Sequence, residues 1–287
     1  DKFHEELNLT RKALCELVHA PRVEIFVGSG TLANDLVAGQ LSLLPGPGLI
    51  LSNGEFGDRL IDHARRWRLT HATCQRSWGE ILELDTIRAA LDRQPATAWV
   101  WLPACETSAG ILNDVAGIKA LCRERRILLC LDAISYVGTV PVDLDGVYLA
   151  SAVSGKGLGS FPGLSMVFYD HDVRAQPERL PRYLDLGYWA AQGGVPFTHS
   201  SNLVAALHTA IKRFERPVAF AEIVELSDWL RPRLRQMGFT ILAPDEHASP
   251  AVITIVLPES SSSRRVGDAL AAAGLLVSYN SEYLRDR

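Results

Sequence analysis

The 287-residue sequence has no long hydrophobic run, no closely spaced cysteine pair and no basic cluster. No apolar run approaches the roughly 18 residues that a membrane-spanning helix needs, so we expect no membrane partner. The N-terminal residues are polar and lack the hydrophobic segment of a signal peptide. Because the formal net charge is -4 and no run of Lys or Arg occurs, nucleic acid is not expected as a partner either.

Several motifs of other enzyme classes are also absent. The five cysteines form no Cys-x-x-Cys pair, which predicts reduced thiols in a cytoplasmic protein. The eight histidines form no His-x-x-x-His or His-Glu-x-x-His pair, so no metal site is expected. Neither Gly-x-Gly-x-x-Gly nor a P-loop sequence occurs, which disfavours a nucleotide-binding α/β enzyme. Cys105 has no evident base, which disfavours a cysteine nucleophile.

Apolar segments that alternate with amphipathic ones predict the architecture. Strands without polar residues, separated by helices, indicate a mostly parallel sheet that is covered on both faces. The predicted strands are 23–27, 49–52, 98–102, 127–131, 148–152 and 164–169, and the predicted helices are 3–19, 32–44, 115–125 and one that begins within 61–67.

The pattern changes after Pro217. Two further helices (218–237 and 264–274) and two further strands (251–257 and 275–279) indicate a smaller α+β unit, joined by a helix over 200–216. The sequence therefore predicts a large domain over 1–217 and a small C-terminal domain over 218–287.

A glycine-containing turn lies between the first predicted strand and the following helix. It reads Gly28-Ser29-Gly30-Thr31. Free N–H groups at a helix start, together with the helix dipole, favour a phosphate group. Ser and Thr are also ordinary helix N-caps, so the turn by itself leaves a plain capped helix open as the alternative.

An aspartate ends one of the apolar strands. Asp132 follows Leu128-Leu129-Cys130-Leu131, at the carboxyl end of a strand, where ligands bind in open α/β sheets. A carboxylate there can pair with a protonated pyridine nitrogen. It can equally cap the next turn or bind a metal or a nucleotide.

A lysine between two glycines follows the next strand. Lys156, in Ser154-Gly155-Lys156-Gly157, comes one strand–helix–strand excursion after Asp132, which would bring both to one sheet edge. Its amine can form a Schiff base there, although surface lysines in loops are far commoner.

The segment Glu106-Thr107-Ser108-Ala109-Gly110 follows another buried strand. Thr107 could donate to an oxygen on a ring; a polar turn is the alternative.

The order of these motifs resembles that of the class V aminotransferases, enzymes of fold type I that use pyridoxal 5′-phosphate (PLP). The similarity covers nearly the whole chain and is densest over 23–36, 49–60, 100–116 and 128–168. Within this family, the motifs resemble those of the alanine–glyoxylate and serine–pyruvate aminotransferases, with the 2-aminoethylphosphonate transaminases nearby. The resemblance implies an α/β fold of type I, with a mostly parallel sheet in the large domain and a smaller α+β C-terminal domain, and PLP as the cofactor.

The resemblance also implies a role for each candidate residue. Lys156 matches the lysine that forms the Schiff base and moves the substrate proton, and Asp132 matches the partner of the pyridine nitrogen. The other implied cofactor contacts are Ser29, Gly30 and Thr31 at the phosphate, Phe56 and Ile134 on the two ring faces, Thr107 near the ring oxygen, Ser154 beside the lysine, and Thr198, which crosses to the partner's phosphate. A homodimer with the site at the subunit interface follows from the match at Thr198.

The sequence departs from the family pattern at three places. Gly155 stands where the family often has Gln or His, so one contact to the cofactor is expected to be lost and only partly replaced by Ser154. The chain begins inside what resembles the first helix of the family. It ends before the C-terminal strand that carries the family's carboxylate-binding arginine, so the small domain is expected to be incomplete.

The resemblance implies a ping-pong transamination. The expected donor is alanine or serine, and the expected acceptor is glyoxylate or pyruvate. The alternatives are a 2-aminoethylphosphonate transaminase or a PLP lyase of the same fold, and a non-catalytic relative that binds PLP. Sulfur transfer is disfavoured because the family's cysteine desulfurases use a cysteine in a late loop, and none follows Cys130.

Overall fold

The computed structural model describes residues 2–216 and 218–285. Its strands are β1 (Arg22–Val27), β2 (Gly48–Ser52), β3 (His71–Gln75), β4 (Trp99–Pro103), β5 (Cys105–Glu106), β6 (Ile111–Leu112), β7 (Leu128–Asp132), β8 (Leu149–Val153), β9 (Leu164–Tyr169), β10 (Thr240–Ile241) and β11 (Ile255–Val256). Its α-helices are α1 (Lys2–Val18), α2 (Gly30–Leu41), α3 (Glu55–Arg66), α4 (Leu84–Arg93), α5 (Val115–Arg125), α6 (Leu186–Ala191), α7 (Ser201–Ile211), α8 (Ala219–Gln236), α9 (Ser263–Ala272) and α10 (Glu282–Arg285).

The centre of the molecule is a seven-stranded sheet in the order β1-β9-β8-β7-β4-β2-β3. Strands β3, β2, β4, β7 and β8 pair in parallel, whereas β9 is antiparallel to both of its neighbours. The predicted α/β fold with a mostly parallel sheet is therefore confirmed. Because β1 runs in the same direction as β8, the carboxyl ends of six strands meet at one edge of the sheet.

Helices cover both faces of this sheet, as the apolar strands predict. Strand β4 shows the division, since Val100 and Leu102 join one core cluster and Trp99 and Trp101 join the other. The first cluster includes side chains of α1, α4, α5 and α7, and the second includes side chains of α2, α3 and α6. Burial on both faces explains why polar residues are so rare in the central strands.

The predicted elements differ from the structure in several places. Helix α3 begins at Glu55 and not within 61–67, because its cap comes from a distant residue described below. The partly exposed strand β3 and the helix α4 were absent from the prediction. The predicted strand 251–257 shrinks to β11, and residues 275–279 form no strand.

The C-terminal part contains α8, α9, α10 and the two-stranded antiparallel sheet of β10 and β11. The predicted domain boundary at Pro217 lies outside the described residues, as do Asp1, Asp286 and Arg287. The division into two domains thus stays a prediction. In the described ranges, no helix combines the length and the apolar character needed to cross a membrane.

Candidate active site

Lys156 lies at the sheet edge where the parallel strands end, in the loop between β8 and β9. Its Nζ atom donates a hydrogen bond to Ser135 Oγ at 3.0 Å. The same nitrogen lies 5.3 Å from the ring centroid of Phe56, within the range of a cation–π contact. The structure therefore brings together segments that follow β2, β7 and β8, and the side chain of Lys156 is exposed where they meet.

Hydrogen bonds from within the loop and from a residue after α7 hold the loop that carries Lys156. The Ser154 hydroxyl donates to Phe161 O at 2.7 Å, and the Leu164 N–H donates to the same hydroxyl at 3.2 Å. Arg213, which follows α7, donates to the carbonyl oxygen of Gly157. The Ser154 hydroxyl thus bonds within the framework of the loop, and its implied contact with the cofactor stays a prediction.

Gly155 is required by the packing of this loop. A Cβ atom placed on Gly155 would lie 2.7 Å from Cα and Cβ of Pro162, closer than such atoms approach in proteins. The departure from the family pattern at this position therefore has a local cause, because the Pro162 backbone occupies the space that a Gln or His side chain would enter.

Asp132 is buried at the end of β7, and both of its carboxylate oxygens accept hydrogen bonds. Oδ1 accepts from the backbone N–H of Ile134 at 3.0 Å, and Oδ2 accepts from Nδ2 of Asn34 at 2.9 Å. Burial raises the pKa of Asp132, while these two hydrogen bonds and the nearby charge of Lys156 act in the opposite direction. The carboxylate is therefore oriented and keeps further lone pairs for a ligand.

Asn34 was missed in the sequence analysis. It lies on α2, four residues after Gly30, which places it one turn inside the helix on the face that meets the sheet. The Ser151 hydroxyl on β8 donates to its Oδ1 atom at 2.7 Å. A polar residue four positions after a glycine-rich turn, in an otherwise apolar helix face, was the available signal.

The first turn of α2 lies at the same sheet edge as Asp132. Ser29 is the N-cap residue but makes no side-chain capping bond, and both Ser29 and Thr31 are exposed. Gly30 packs closely on the segment after β7, since a Cβ atom placed on it would lie 2.7 Å from Cδ1 of Ile134. The first N–H groups of an α-helix have no acceptor within the helix, so those of α2 can donate to an anion.

Phe56 is positioned by a buried glutamate that sequence reasoning did not identify. Oε2 of Glu106 accepts the backbone N–H groups of Phe56 and Gly57, each at 3.0 Å. Oε1 accepts the N–H and the hydroxyl of Ser108, at 3.1 and 2.6 Å. Glu106 thus caps α3 from the β5–β6 hairpin, and the Phe56 ring is fixed beside Lys156. The only local sequence signal for Glu106 was an acidic residue in Glu-Thr-Ser-x-Gly, directly after a buried strand.

Thr107 and Thr198 are less closely connected to the site. Thr107 is half-buried at the turn of the β5–β6 hairpin, and Thr198 is exposed between α6 and α7. Within residues 2–216 and 218–285, neither side chain makes a hydrogen bond to Lys156 or Asp132. Their implied contacts with the ring oxygen and with the partner's phosphate stay predictions.

Such a sheet, with an anion-binding helix start and an aspartate and a lysine at one edge, is the fold of type I PLP-dependent transferases. The sequence profile of the family described as "Aminotransferase class-V" matches residues 1–182. The chain belongs to the class V aminotransferase family, and membership of this family implies PLP as the cofactor.

Named relatives and solved structures are similar to this chain over most of its length. The chain is 30% identical over 246 residues to the soluble hydrogenase 42 kDa subunit of Anabaena cylindrica, covering 80% of this chain and 64% of that one. It is 28% identical over 243 residues to a 2-aminoethylphosphonate–pyruvate transaminase of Pseudomonas putida, covering 80% and 66%. The crystal structure of an alanine–glyoxylate aminotransferase from Nostoc sp. matches with a TM-score of 0.87 at 26% identity, covering 98% of this chain and 79% of that one. The chain thus spans slightly less than two thirds of these two curated relatives.

The residues at the sheet edge fit PLP by their chemistry. The cofactor carries a phosphate, an aldehyde and a pyridine nitrogen, and each has a matching group here. The start of α2 offers N–H donors and two exposed hydroxyls, Lys156 offers a primary amine, and Asp132 offers a buried carboxylate. The Phe56 ring beside the amine offers a flat apolar surface. No cluster of His, Cys, Asp or Glu suited to a metal occurs among the residues with described positions.

Proposed function

We propose that this chain forms the PLP-binding part of an aminotransferase, with Lys156 as the residue that bonds covalently to the cofactor. The observation that carries this proposal is the convergence of the Lys156 amine, the buried Asp132 carboxylate and the first turn of α2 at one sheet edge. Family membership supports it independently.

The proposed roles follow from the chemistry of each side chain. When bound, PLP supplies an electron-accepting ring that stabilises negative charge at the α-carbon of an amino acid. Asp132 would hold the proton on the ring nitrogen, and the start of α2 with Ser29, Gly30 and Thr31 would bind the phosphate. The amine of Lys156 would hold the cofactor and would take the proton from the substrate α-carbon.

The other predicted contacts complete the proposed site. Phe56 and Ile134 would pack on the two faces of the ring, and Thr107 would donate to the ring oxygen. Phe56 is half-buried beside Lys156, and Ile134 contacts Gly30 at the phosphate end of the site, which supports these two assignments. Arg213 and Ser154 hold the lysine loop in place.

The proposed substrates are small. Alanine or serine is the donor and glyoxylate or pyruvate the acceptor, in keeping with the alanine–glyoxylate aminotransferase fold match. A 2-aminoethylphosphonate donor with pyruvate is the second candidate, because several relatives at 26–29% identity carry that name.

The proposed assembly is a homodimer in the cytoplasm. Thr198 is exposed, as a residue that reaches into a partner subunit must be before assembly. All five cysteines are free, and four of them are buried, as in proteins of a reducing compartment. Size-exclusion chromatography with light scattering tests the dimer directly.

The test of the proposed function is covalent labelling of Lys156. Purified protein, with added PLP, is reduced with borohydride, and the modified peptide is located by mass spectrometry. We expect one adduct, on Lys156, and loss of the visible absorbance of the bound cofactor when L-alanine, L-serine or 2-aminoethylphosphonate is added.

Two variants make this test specific. Lys156→Ala should lose the adduct and the transamination, whereas Lys12→Ala, which changes an exposed lysine on α1, should keep both. A protein that stays colourless with added PLP, or that is labelled equally in Lys156→Ala, would overturn the proposed function.

A further inference from the structure

We propose that Asn34 and Ser151 are positioning residues for the reaction, holding the Asp132 carboxylate in the orientation and the ionised form that the cofactor nitrogen needs. This inference rests on the proposed function, because it concerns the way in which Asp132 meets the ring. It adds two residues to the site that act through Asp132 and do not themselves touch the cofactor.

The geometry joins three elements behind Asp132. Strands β7 and β8 pair so that Asp132 and Ser151 are direct neighbours across the ladder. Helix α2 crosses above them and inserts the Asn34 amide between the two side chains, with hydrogen bonds of 2.7 Å to Ser151 and 2.9 Å to Asp132. All three side chains are buried: Asn34 is 5% exposed, Asp132 6% and Ser151 0%.

This arrangement links the orientation of the amide to the charge of Asp132. In one orientation Asn34 accepts from the Ser151 hydroxyl and donates through Nδ2 to Asp132. If the amide were turned over, its oxygen would face a carboxylate oxygen, and two acceptors without a proton between them repel each other. The turned amide is therefore compatible only with a protonated Asp132, whereas the observed orientation accommodates and favours the ionised form.

The ionised form of Asp132 needs this support because its carboxylate is buried away from solvent. Burial raises the pKa of Asp132, and the Asn34 hydrogen bond is the largest of the opposing influences. A protonated Asp132 could donate to a pyridine nitrogen but could not hold a proton on it. Asn34 therefore favours the protonation state in which the ring accepts electrons, and the Ser151 hydroxyl bonds to the Asn34 amide and holds it beside Asp132.

The same helix serves both ends of the cofactor in this arrangement. Gly30 begins the turn proposed for the phosphate, and Asn34 follows one turn later, roughly 6 Å along the axis. A shift of α2 would thus move the phosphate contacts and the Asp132 contact together. This coupling predicts that changes at Asn34 affect cofactor affinity as well as cofactor electronics.

The experiment compares three single variants of the full chain with the wild type. Asn34→Leu removes the amide at similar volume, and Ser151→Ala removes only the hydroxyl that bonds to this amide. Gln40→Leu is the matched control, since Gln40 is another buried amide on α2. Three quantities are measured: the thermal unfolding midpoint of the apoprotein, the PLP dissociation constant, and the pH midpoint of the visible absorbance of the PLP-bound protein.

We expect Asn34→Leu to weaken PLP binding about tenfold, the factor expected for losing one hydrogen bond to a charged group. The pH midpoint of the absorbance should move by roughly half a unit or more, because the ring nitrogen is less fully protonated. Ser151→Ala should change both quantities in the same direction but less, and Gln40→Leu should leave both at the wild-type values.

A merely structural role would lower the unfolding midpoint of Asn34→Leu without moving the pH midpoint, and that result overturns the inference. If Asn34→Leu does not fold, an unchanged pH midpoint in Ser151→Ala overturns it instead. Wild-type protein that fails to bind PLP overturns the proposed function and this inference together, whereas wild-type binding with unchanged variants overturns this inference alone.

Discussion

The carboxylate of Glu106 accepts the backbone N–H of Phe56 at 3.0 Å, across 50 residues of sequence. Glu106 is completely buried, and the N–H groups at the start of α3 would otherwise have no partner in the helix. One buried charge therefore fixes where α3 begins and where the Phe56 ring lies relative to Lys156. Stability and the cofactor site are coupled at this contact.

Glu106→Gln should weaken both the stability of the fold and the binding of PLP. A glutamine has one accepting oxygen, so its amide group would face two donors that now bond to the carboxylate. We expect a loss of about 2 kcal/mol in the free energy of unfolding. PLP binding should be about tenfold weaker, because the Phe56 ring is displaced. Denaturant unfolding of the apoprotein and titration with PLP measure the two effects.

The control for this change is Glu178→Gln, which alters an exposed glutamate far from the sheet edge. It should leave both quantities unchanged. If Glu106→Gln lowered stability but bound PLP as tightly as the wild type, the capping role would stand and the link to Phe56 would be wrong.

Gly155→Gln, which introduces the residue that the family often has beside the lysine, should impair the site. Its Cβ atom would lie 2.7 Å from the Pro162 backbone, so the loop around Lys156 must shift. We expect a loss of about 1–3 kcal/mol in the free energy of unfolding, as for other overpacked positions, and weaker PLP binding. Gly193→Ala is a control for PLP affinity alone: its added methyl group meets nothing within 4 Å, but the φ of +64° at Gly193 makes this substitution cost stability as well. Tighter PLP binding by Gly155→Gln would contradict this prediction and show that Pro162 shifts easily to make room for the new side chain.

The sequence predicted those parts of the site that depend on local pattern. Asp132 and Lys156 each follow an apolar strand, and parallel strands end at a common edge, so their convergence could be expected from the order of strands and helices alone. Asn34 and Glu106 could not be identified in this way. Their partners are 98 and 50 residues away, and only the packing of α2 and α3 on the sheet brings them together.

Contacts between residues that are distant in sequence also explain the errors in the predicted elements. The start of α3 is set by Glu106, a residue of a different hairpin. Phe56, Leu60, Ile61 and Ala64 do recur at helical spacing, and this pattern could have extended the predicted helix back to Phe56. Residues 275–279 are apolar enough to predict a strand, but they pair with no other strand in the described chain. Hydrophobic pattern alone does not supply a pairing partner.

Arg231→Met should destabilise the C-terminal part of the chain. The buried Arg231 guanidinium donates to Ser249 O at 2.7 Å and to Val252 O at 3.1 Å, which holds this segment against the β5–β6 hairpin. The substitution leaves both carbonyl groups without these donors, so we expect a loss of about 3 kcal/mol. Denaturant unfolding measures it, with Arg233→Met, an exposed arginine on the same helix, as the control. Equal effects of the two variants would contradict the assigned role.

Glu24 should give the stability a pH dependence of definite sign. It is completely buried on β1, where Arg11 pairs with it at 2.6 Å and the Tyr169 hydroxyl donates to it at 3.1 Å. Burial raises the pKa of Glu24 above its ordinary value of 4.5, although Arg11 and Tyr169 act in the opposite direction. The folded protein therefore keeps this proton to a higher pH than the unfolded chain does.

The contribution of Glu24 to stability is consequently complete below pH 4.5 and declines as the pH rises through the raised pKa. Glu24→Gln is neutral at every pH and lacks this decline. The free energy of unfolding of the variant minus that of the wild type should therefore increase as the pH rises from about 4.5 towards neutrality. Denaturant unfolding of both apoproteins over this range measures the difference. A difference that is constant, or that shrinks with rising pH, would mean that Arg11 outweighs burial and keeps Glu24 ionised in the folded state.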